Sequence, residues 1–318
     1  AEARLADVRR RLRAPLSPAG PARKPEVEPL ASPVTREDYR GVVERAKRYI
    51  EAGDIFQVVP SHRFRARFRL PPFACYRALR RLNPSPFLYF LDLGGFQLAG
   101  SSPEILVRYR DDRVTIRPIA GTRPRGDTPE ADAALERELL ADPKERAEHL
   151  MLLDLGRNDV ARALRLGEDE AANAPQEGAV VEVTQSFAIE RYSTVMHIVS
   201  NVEGRARARL DPVDTILRAL PAGTLSGAPK VRAMQIIDEL EAVKRGVGYG
   251  GAAGYISAAG EVDTCIVLRT ALFADGCAHV QAGGGVVADS DPDAEYEETL
   301  HKSRALQRAA AEAWCFER

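Results

Sequence analysis

Apolar positions along this chain recur with two periods, near 3.6 and near 2, and the sequence switches between them many times. Leu5, Val8 and Leu12 fall on one side of an Arg-rich helix over residues 1–13. Residues 14–34 carry Pro15, Pro18, Pro21, Pro25, Pro29 and Pro33 and read as a linker or an extended surface strap. Periodic sequence resumes at Thr35, which forms a capping box with Asp38 and opens a helix to about Glu51, with Val42, Val43, Ala46 and Ile50 inward. Gly53 ends that helix.

Strands are expected over 55–69, weakened at Pro60, which removes a ladder donor, and over 87–91, 96–99, 105–109 and 114–119. Residues 129–165 are helical, with a break at Asp142-Pro143. Strand character returns over 179–189 and 194–203, followed by helices over 212–220 and 228–241 around a loop at 221–227. A glycine-rich turn spans 246–254, strands follow over 255–257, 264–274 and 278–282, and a last helix runs over 293–314. Runs of strands and separate runs of helices, without a regular βα rhythm, predict an α+β fold with large, mostly antiparallel sheets packed between helices. The expected organisation is a helix and strap over 1–34 and one domain over 35–318.

Composition narrows the class. The 318 residues carry a net charge of −1, with 45% hydrophobic and 29% charged residues. This is a globular profile. The charge balance argues against nucleic acid or an anionic membrane as the main partner. No apolar run approaches the roughly 18 residues of a membrane span, and no signal-peptide pattern opens the chain. The four cysteines lie far apart, without CxxC spacing, and read as free thiols of a reducing cytoplasm.

Four features offer chemistry. Glu145/Glu148 and Glu295/Glu298 are i,i+3 pairs on predicted helices, each a two-carboxylate patch. Face to face they would suit Mg²⁺, which takes few carboxylates and several waters; apart, they are solvated faces. The run Gly283-Gly284-Gly285 after a strand either brings backbone amides against an anion or makes a tight turn. The loop from Ala222 to Lys230 sets Thr224, Ser226 and Lys230 before a helix N-terminus, which is an anion seat or a capped start with a solvated lysine. Arg269 lies in an apolar strand and needs a partner there, a substrate carboxylate or a salt bridge. His197 sits in a similar apolar run, where a histidine is more often a satisfied core residue than a catalyst.

These features fall within segments that occur in one consistent order: AGDIFQVV at 52–59, GSSPE at 100–104, PIAGTRPRG at 118–126, ERAEHLMLLDLGRND at 145–159, ERYSTVMHIVSNVEG at 190–204, LPAGTLSGAPKVRAMQIIDELE at 220–241, GYGGAAGYIS at 248–257, DTCIVLRTALF at 263–273 and VQAGGGVV at 280–287. From about Asp38 to Arg308 the chain resembles the chorismate-utilising enzymes, most closely the large subunit of anthranilate synthase. The resemblance implies addition of ammonia to chorismate, loss of the 4-hydroxyl as water and elimination of pyruvate, with Mg²⁺ on the ring carboxylate. It implies Glu148 and Glu298 as metal ligands, with Glu145 and Glu295 helping directly or through water. Glu104 would be the general acid, which requires a raised pKa. His197 would assist pyruvate elimination. Arg269, Tyr249 and the amides near Gly283 and Gly285 would hold the enolpyruvyl carboxylate, and Thr122, Thr224 and Lys302 would line the site.

Three positions discriminate within the family. Relatives that add water carry a lysine base where this chain has Gln57, and aminodeoxychorismate synthases usually read PIKGT where this chain reads Pro118-Ile119-Ala120-Gly121-Thr122. AGTLSGAPK in place of GGSITGAPK points the same way, to anthranilate. Pro60 and His62 depart from the expected VLSQRF and are read as variation outside the site. Family members carry about another third of chain ahead of the matching region, with an LLES segment that has no counterpart here. The chain therefore reads as the C-terminal, chorismate-binding portion of a larger subunit, expected in a hetero-oligomer. It has no Cys-centred amidotransferase motif, so ammonia would come from a glutamine amidotransferase subunit or from solution. The alternatives are a component of aminodeoxychorismate synthase and a catalytically silent fragment that only binds chorismate or a partner.

Overall fold

The computed structural model describes residues 2–15, 27–164, 180–192, 195–206 and 209–317. The middle of the proline-rich strap, and the ends of three expected elements at Arg165, Ala179 and Thr194, lie outside the described residues. In chain order the elements are α1 (Glu2–Arg13), α2 (Arg36–Glu51), β1 (Gln57–Val58), β2 (Ser61–Arg67), α3 (Pro72–Leu82), β3 (Phe87–Asp92), β4 (Gln97–Ser102), β5 (Ile105–Arg110), β6 (Arg113–Ile116), β7 (Ile119–Pro124), α4 (Pro129–Ala141) and α5 (Pro143–Ala163). Then follow β8 (Val181–Arg191), β9 (Val195–Arg205), α6 (Pro212–Ala219), α7 (Gly223–Ser226), β10 (Gly227–Ala228), α8 (Lys230–Leu240), β11 (Ala252–Ile256), β12 (Val262–Ile266), β13 (Thr270–Ala274), β14 (Cys277–Gly283) and α9 (Pro292–Glu312).

Every strand pairing among the described residues is antiparallel. One sheet has five strands in the order β2-β14-β13-β4-β3. Another has seven, in the order β11-β12-β5-β6-β9-β7, with β8 also on β9. The fold is α+β, as the pattern predicts. Phe64, Phe273 and Val280 of the smaller sheet, with Phe68 just past β2, bury against Cys75, Ala78 and Leu79 of α3 and Leu306 and Ala309 of α9. Leu106, Val107, Val114 and Val202 of the larger sheet bury against Leu153, Val160 and Ala163 of α5 and Ala219 of α6. Tyr39, Val43 and Ala46 of α2 meet Ile236 and Ile237 of α8 over β1.

The chain changes sheets twice at one level. β4 belongs to the smaller sheet and β5 to the larger, so residues 103–104 cross between them. β12 and β13 make the reverse passage through 267–269. The single strand expected over 264–274 is thus two strands, and Arg269 stands in the break with φ +45°. Three other expectations are corrected. The strand over 55–69 divides at Val59-Pro60, and that over 114–119 divides at Arg117-Pro118. The loop over 221–227 holds α7 and β10. Helix α3 has no counterpart in the sequence reading, because it opens on Pro71-Pro72, a turn signal.

The capping box at Thr35 and Asp38 is present, and the helix break falls at Asp142, which caps α5. Ala31 exchanges backbone hydrogen bonds of 3.1 and 2.8 Å with Arg65 on the outer side of β2. Leu5, Val8 and Leu12 of α1 face solvent. Among the described residues no helix is long and apolar enough to cross a membrane.

Gly227 is where the short β1/β10 ladder fixes Gln57. Its φ is +137°, and a Cβ there would lie 2.1 Å from the Gln57 carbonyl oxygen. Gly227→Ala should therefore destabilise the chain by at least about 1–3 kcal/mol, read as a lowered midpoint in thermal or urea unfolding; an unchanged midpoint would show that β1 and β10 can separate without cost.

Candidate active site

A cavity of about 220 Å³ opens at the junction of the two sheets. The two crossings form its inner wall. Ile266 N donates to Glu104 O at 3.0 Å, Ser101 N to Arg269 O at 3.2 Å, and Ser102 Oγ to Ile266 O at 2.6 Å. Backbone leaving one ladder thus finds partners in the other crossing, and Glu104 and Arg269 are held as neighbours. Burial pushes the Glu104 carboxyl up to about 7, tempered by the Thr224 hydroxyl, Lys302 and Arg269, while Asp159 acts in the same sense as burial. The Thr224 oxygen is buried without a hydrogen bond of normal geometry.

Opposite, β7 and β9 place Thr122 and His197 in register. The register slips between Ala120 and Thr122. Both residues line the cavity. His197 Nδ1 lies 3.0 Å from the Gly121 carbonyl oxygen and 3.1 Å from Thr122 Oγ1. A carbonyl can only accept, so Nδ1 carries the hydrogen and Nε2 is left as an acceptor. Burial lowers the imidazole pKa, which favours this neutral form.

The outer side is acidic. Glu148 of α5 and Glu298 of α9 line the cavity. Burial raises the Glu148 pKa, and repulsion from Glu298 and Glu145 adds to it. Glu295 lies behind, with Oε1 accepting from Ser290 Oγ at 2.7 Å and Oε2 buried without a partner. Burial pushes its carboxyl up to about 7. Glu145 is drawn aside by Arg123, 3.0 Å away, which also binds Glu138 and Asp142. Lys302 Nζ joins the two regions: it pairs with Glu298 at 2.6 Å and donates to Gly283 O at 3.0 Å.

The family model for chorismate binding enzymes matches residues 1–308. The chain belongs to this family. It is 60% identical over 293 residues to anthranilate synthase component 1 of Cereibacter sphaeroides, covering 92% of this chain and 56% of that protein. It is 54% identical over 317 residues to anthranilate synthase component 1 of Pseudomonas aeruginosa, covering 98% of this chain and 61% of the relative. The crystal structure of anthranilate synthase component I from Streptococcus pneumoniae superposes with a TM-score of 0.82 at 42% identity, over 96% of this chain and 66% of that one. The menaquinone-specific isochorismate synthase of Escherichia coli gives 0.72 at 25% identity, over 90% and 65%. The chain spans little more than half the length of these two anthranilate synthase sequences.

Within this chorismate-binding fold, Gln57, Glu104, Ala120, Thr122, Glu148, His197, Thr224, Tyr249, Arg269, Gly283, Gly285, Glu298 and Lys302 all line the cavity. Gly284, Glu145 and Glu295 do not. Gly284 turns outward, where a Cβ would stand 2.6 Å from Glu295 Oε2. His62 lies away from the cavity, between Ser32 Oγ and Thr299 Oγ1, each at 2.7 Å.

Lys230 is neither an anion seat nor solvated: it is buried against Asp159. Arg245 and Glu241 form an i,i+4 pair at 2.7 Å that looks like any helix-end ion pair in sequence. Glu241 accepts from Ser61 N at 2.8 Å and Ser61 Oγ at 2.7 Å. The Arg245 guanidinium binds Leu225 O at 2.6 Å and lies over the Tyr249 ring, 5.2 Å from its centre. This buried network backs the wall that carries Tyr249 and Leu225.

Glu104 sets a pH dependence of stability. Its pKa is raised from 4.5 to about 7, so the folded state binds the proton more tightly than the unfolded chain. Its contribution is complete below about 4.5 and is lost as pH rises through about 7. Glu104→Gln should accordingly raise the thermal midpoint relative to the parent chain more at pH 8 than at pH 5. An equal difference at both values would mean that Glu104 titrates as an ordinary surface carboxylate.

Proposed function

We propose that this chain carries the chemistry that converts chorismate and ammonia to anthranilate, pyruvate and water, the step that commits chorismate to tryptophan. The observation that carries this reading is a buried carboxyl, Glu104, that shares a cavity with Arg269 and Lys302, where position 120 offers only a methyl group. Chorismate has two carboxylates. Arg269, Lys302, the Tyr249 hydroxyl and the peptide groups at Gly283 and Gly285 offer one of them a cationic and hydrogen-bonding seat. Holding it fixes the ring against Glu104, the proximity term.

Glu104 gives its proton to the 4-hydroxyl, which leaves as water while ammonia bonds to the ring. A ring proton and the enolpyruvyl group then depart, and the latter becomes pyruvate. His197, neutral with Nε2 as an acceptor, is suited to assist that elimination. Ala120 has no amine to attack the ring, and Gln57 has no basic lone pair to activate water. Both favour ammonia as the nucleophile and anthranilate as the product. The chain's buried Cys75, Cys265 and Cys277 and its exposed Cys315 are free thiols, in keeping with a reducing cytoplasm. No cysteine falls in an amidotransferase motif, so a glutamine amidotransferase subunit is the proposed ammonia source.

Mg²⁺ is the proposed cofactor. Among the described residues no three acidic, His or Cys side chains already converge to enclose an ion. The donor set nevertheless fits: Glu148 and Glu298 face the cavity, and Glu295 Oε2 is a buried oxygen without a partner. Mg²⁺ needs only one or two carboxylates when waters and an anionic substrate complete its shell. Glu148 and Glu298 would hold it, with Glu145 and Glu295 assisting directly or through water. Bound there, it would neutralise the ring carboxylate as charge moves in the ring.

Incubation with chorismate, ammonium and Mg²⁺ should give anthranilate fluorescence without an added lyase, and Ala120→Lys should divert the product. Formation of aminodeoxychorismate or isochorismate by the parent chain, or no chorismate binding in calorimetry, would overturn the reading. Metal binding is checked separately. Mg²⁺ should raise the thermal midpoint more at pH 8 than at pH 6, because raised carboxyls must ionise to bind it. Glu148→Gln should lose that increment; retention of it would move the metal elsewhere.

A further inference from the structure

We propose that the buried Asp159–Lys230 ion pair, behind the cavity wall, fixes Thr224 against Glu104 and presents its negative end to Glu104 from behind. Asp159 lies on α5, about three turns after Glu148. Its Oδ1 takes the Lys230 ammonium, and its Oδ2 accepts from Gly223 N at 3.0 Å. Lys230 also donates to Pro221 O at 2.8 Å. One carboxylate therefore ties both ends of the segment that carries α7, and Thr224 follows directly on the tethered Gly223. The two side chains are 7% and 8% exposed, so the charges act through little water.

A second, smaller cavity of about 20 Å³ connects this pair to the acid. Glu104, Thr224, Gly223 and Asp159 line it, and Lys230 does not. The volume admits one water molecule. The negative end of the ion pair thus faces Glu104, and the positive end is turned away. Asp159 raises the proton affinity of Glu104, and Thr224 lowers it. Lys302 of α9 and Arg269 of the second crossing also lower it. Glu148, Glu298, His197 and Tyr249 complete the titratable lining of the main cavity. The pair is a positioning device: it touches neither the main cavity nor anything bound in it.

The prediction is a pair of opposite shifts. Asp159→Asn removes the negative charge but keeps an acceptor for Gly223 N. Lys230→Met leaves the Asp159 charge uncompensated. Glutamate labelled with ¹³C at the side-chain carboxyl, with the Glu104 resonance identified by its loss in Glu104→Gln, allows the titration to be followed by NMR. The parent midpoint is expected at about 7. Asp159→Asn should lower it by on the order of one unit, and Lys230→Met should raise it by less because Lys230 is turned away, so that the double variant stays below the parent. No shift in either single variant, or shifts of the same sign, would reduce the pair to structural support.

A lone buried charge can prevent folding. If Lys230→Met does not fold, the proposal stands on a lowered midpoint in both Asp159→Asn and the double variant, and an unmoved double variant defeats it. The carboxyl titration needs no turnover. The alkaline limb of ammonia-dependent turnover should move with it, a consequence that rests on the proposed function. A parent chain without turnover would remove that function and leave the titration result in place.

Discussion

The site depends on one constraint: the chain passes from one sheet to the other twice, at the same level, and each passage supplies the hydrogen bonds the other lacks. A strand that leaves its ladder exposes backbone donors and acceptors that must be paired if they are buried. Here Ile266 N finds Glu104 O, Ser101 N finds Arg269 O, and Ser102 Oγ finds Ile266 O. The acid and the guanidinium are therefore neighbours through main chain, and either sheet moving alone would separate them. Arg269 takes a left-handed backbone conformation to make the turn, uncommon for a residue with a side chain. Such strain persists only where surrounding structure over-determines it, and the two packed sheets do so here.

The cavity gathers charge that the whole-chain balance conceals. Glu148, Glu298 and the buried Glu295 oxygen stand on one side, and Arg269 stands across from them, with Lys302 between. Fixed charges in a partly dry pocket interact far more strongly than in water and need no rearrangement when a charged ligand arrives. Arg123 restrains this arrangement by drawing Glu145 to its own cluster with Glu138 and Asp142, which leaves fewer uncompensated carboxylates at the mouth.

Periodicity made the elements legible where one apolar face was large and continuous, as in α2 with its capping box. It could not say which sheet a strand joins, so 264–274 read as one strand and Arg269 as a charge within it. Helix α3 is masked in sequence by Pro71-Pro72 at its start, which looks like a turn. Most of the cavity lining was legible only because ordered segments resembled a family, since a methyl group at Ala120 or an amide at Gln57 carries no signal of its own. Lys230 carries a misleading local signal. A lysine before a helix looks like an anion seat, and its true partner, Asp159, is distant in sequence and on another helix. Arg245 and Glu241 were invisible because an i,i+4 pair looks the same on a surface as inside a network.

Gly283, Gly284 and Gly285 show how missing side chains can organise a site. A Cβ on Gly283 would lie 2.4 Å from Pro60 O, one on Gly284 2.6 Å from Glu295 Oε2, and one on Gly285 2.7 Å from Gln57 Nε2. Each glycine thus lets a different wall close: β2, the acidic helix α9, and the short β1 strand. The Gly283 carbonyl then accepts from Lys302, whose other contact is Glu298. One stretch of main chain accordingly touches both the acidic side and the cationic side of the cavity, and Lys302 carries a displacement of either to the other. A ligand that pulled on the Lys302 ammonium would loosen its hold on Glu298 and leave that carboxylate free for a cation. In this geometry the anionic and cationic parts of a bound complex are coupled through a single ammonium group.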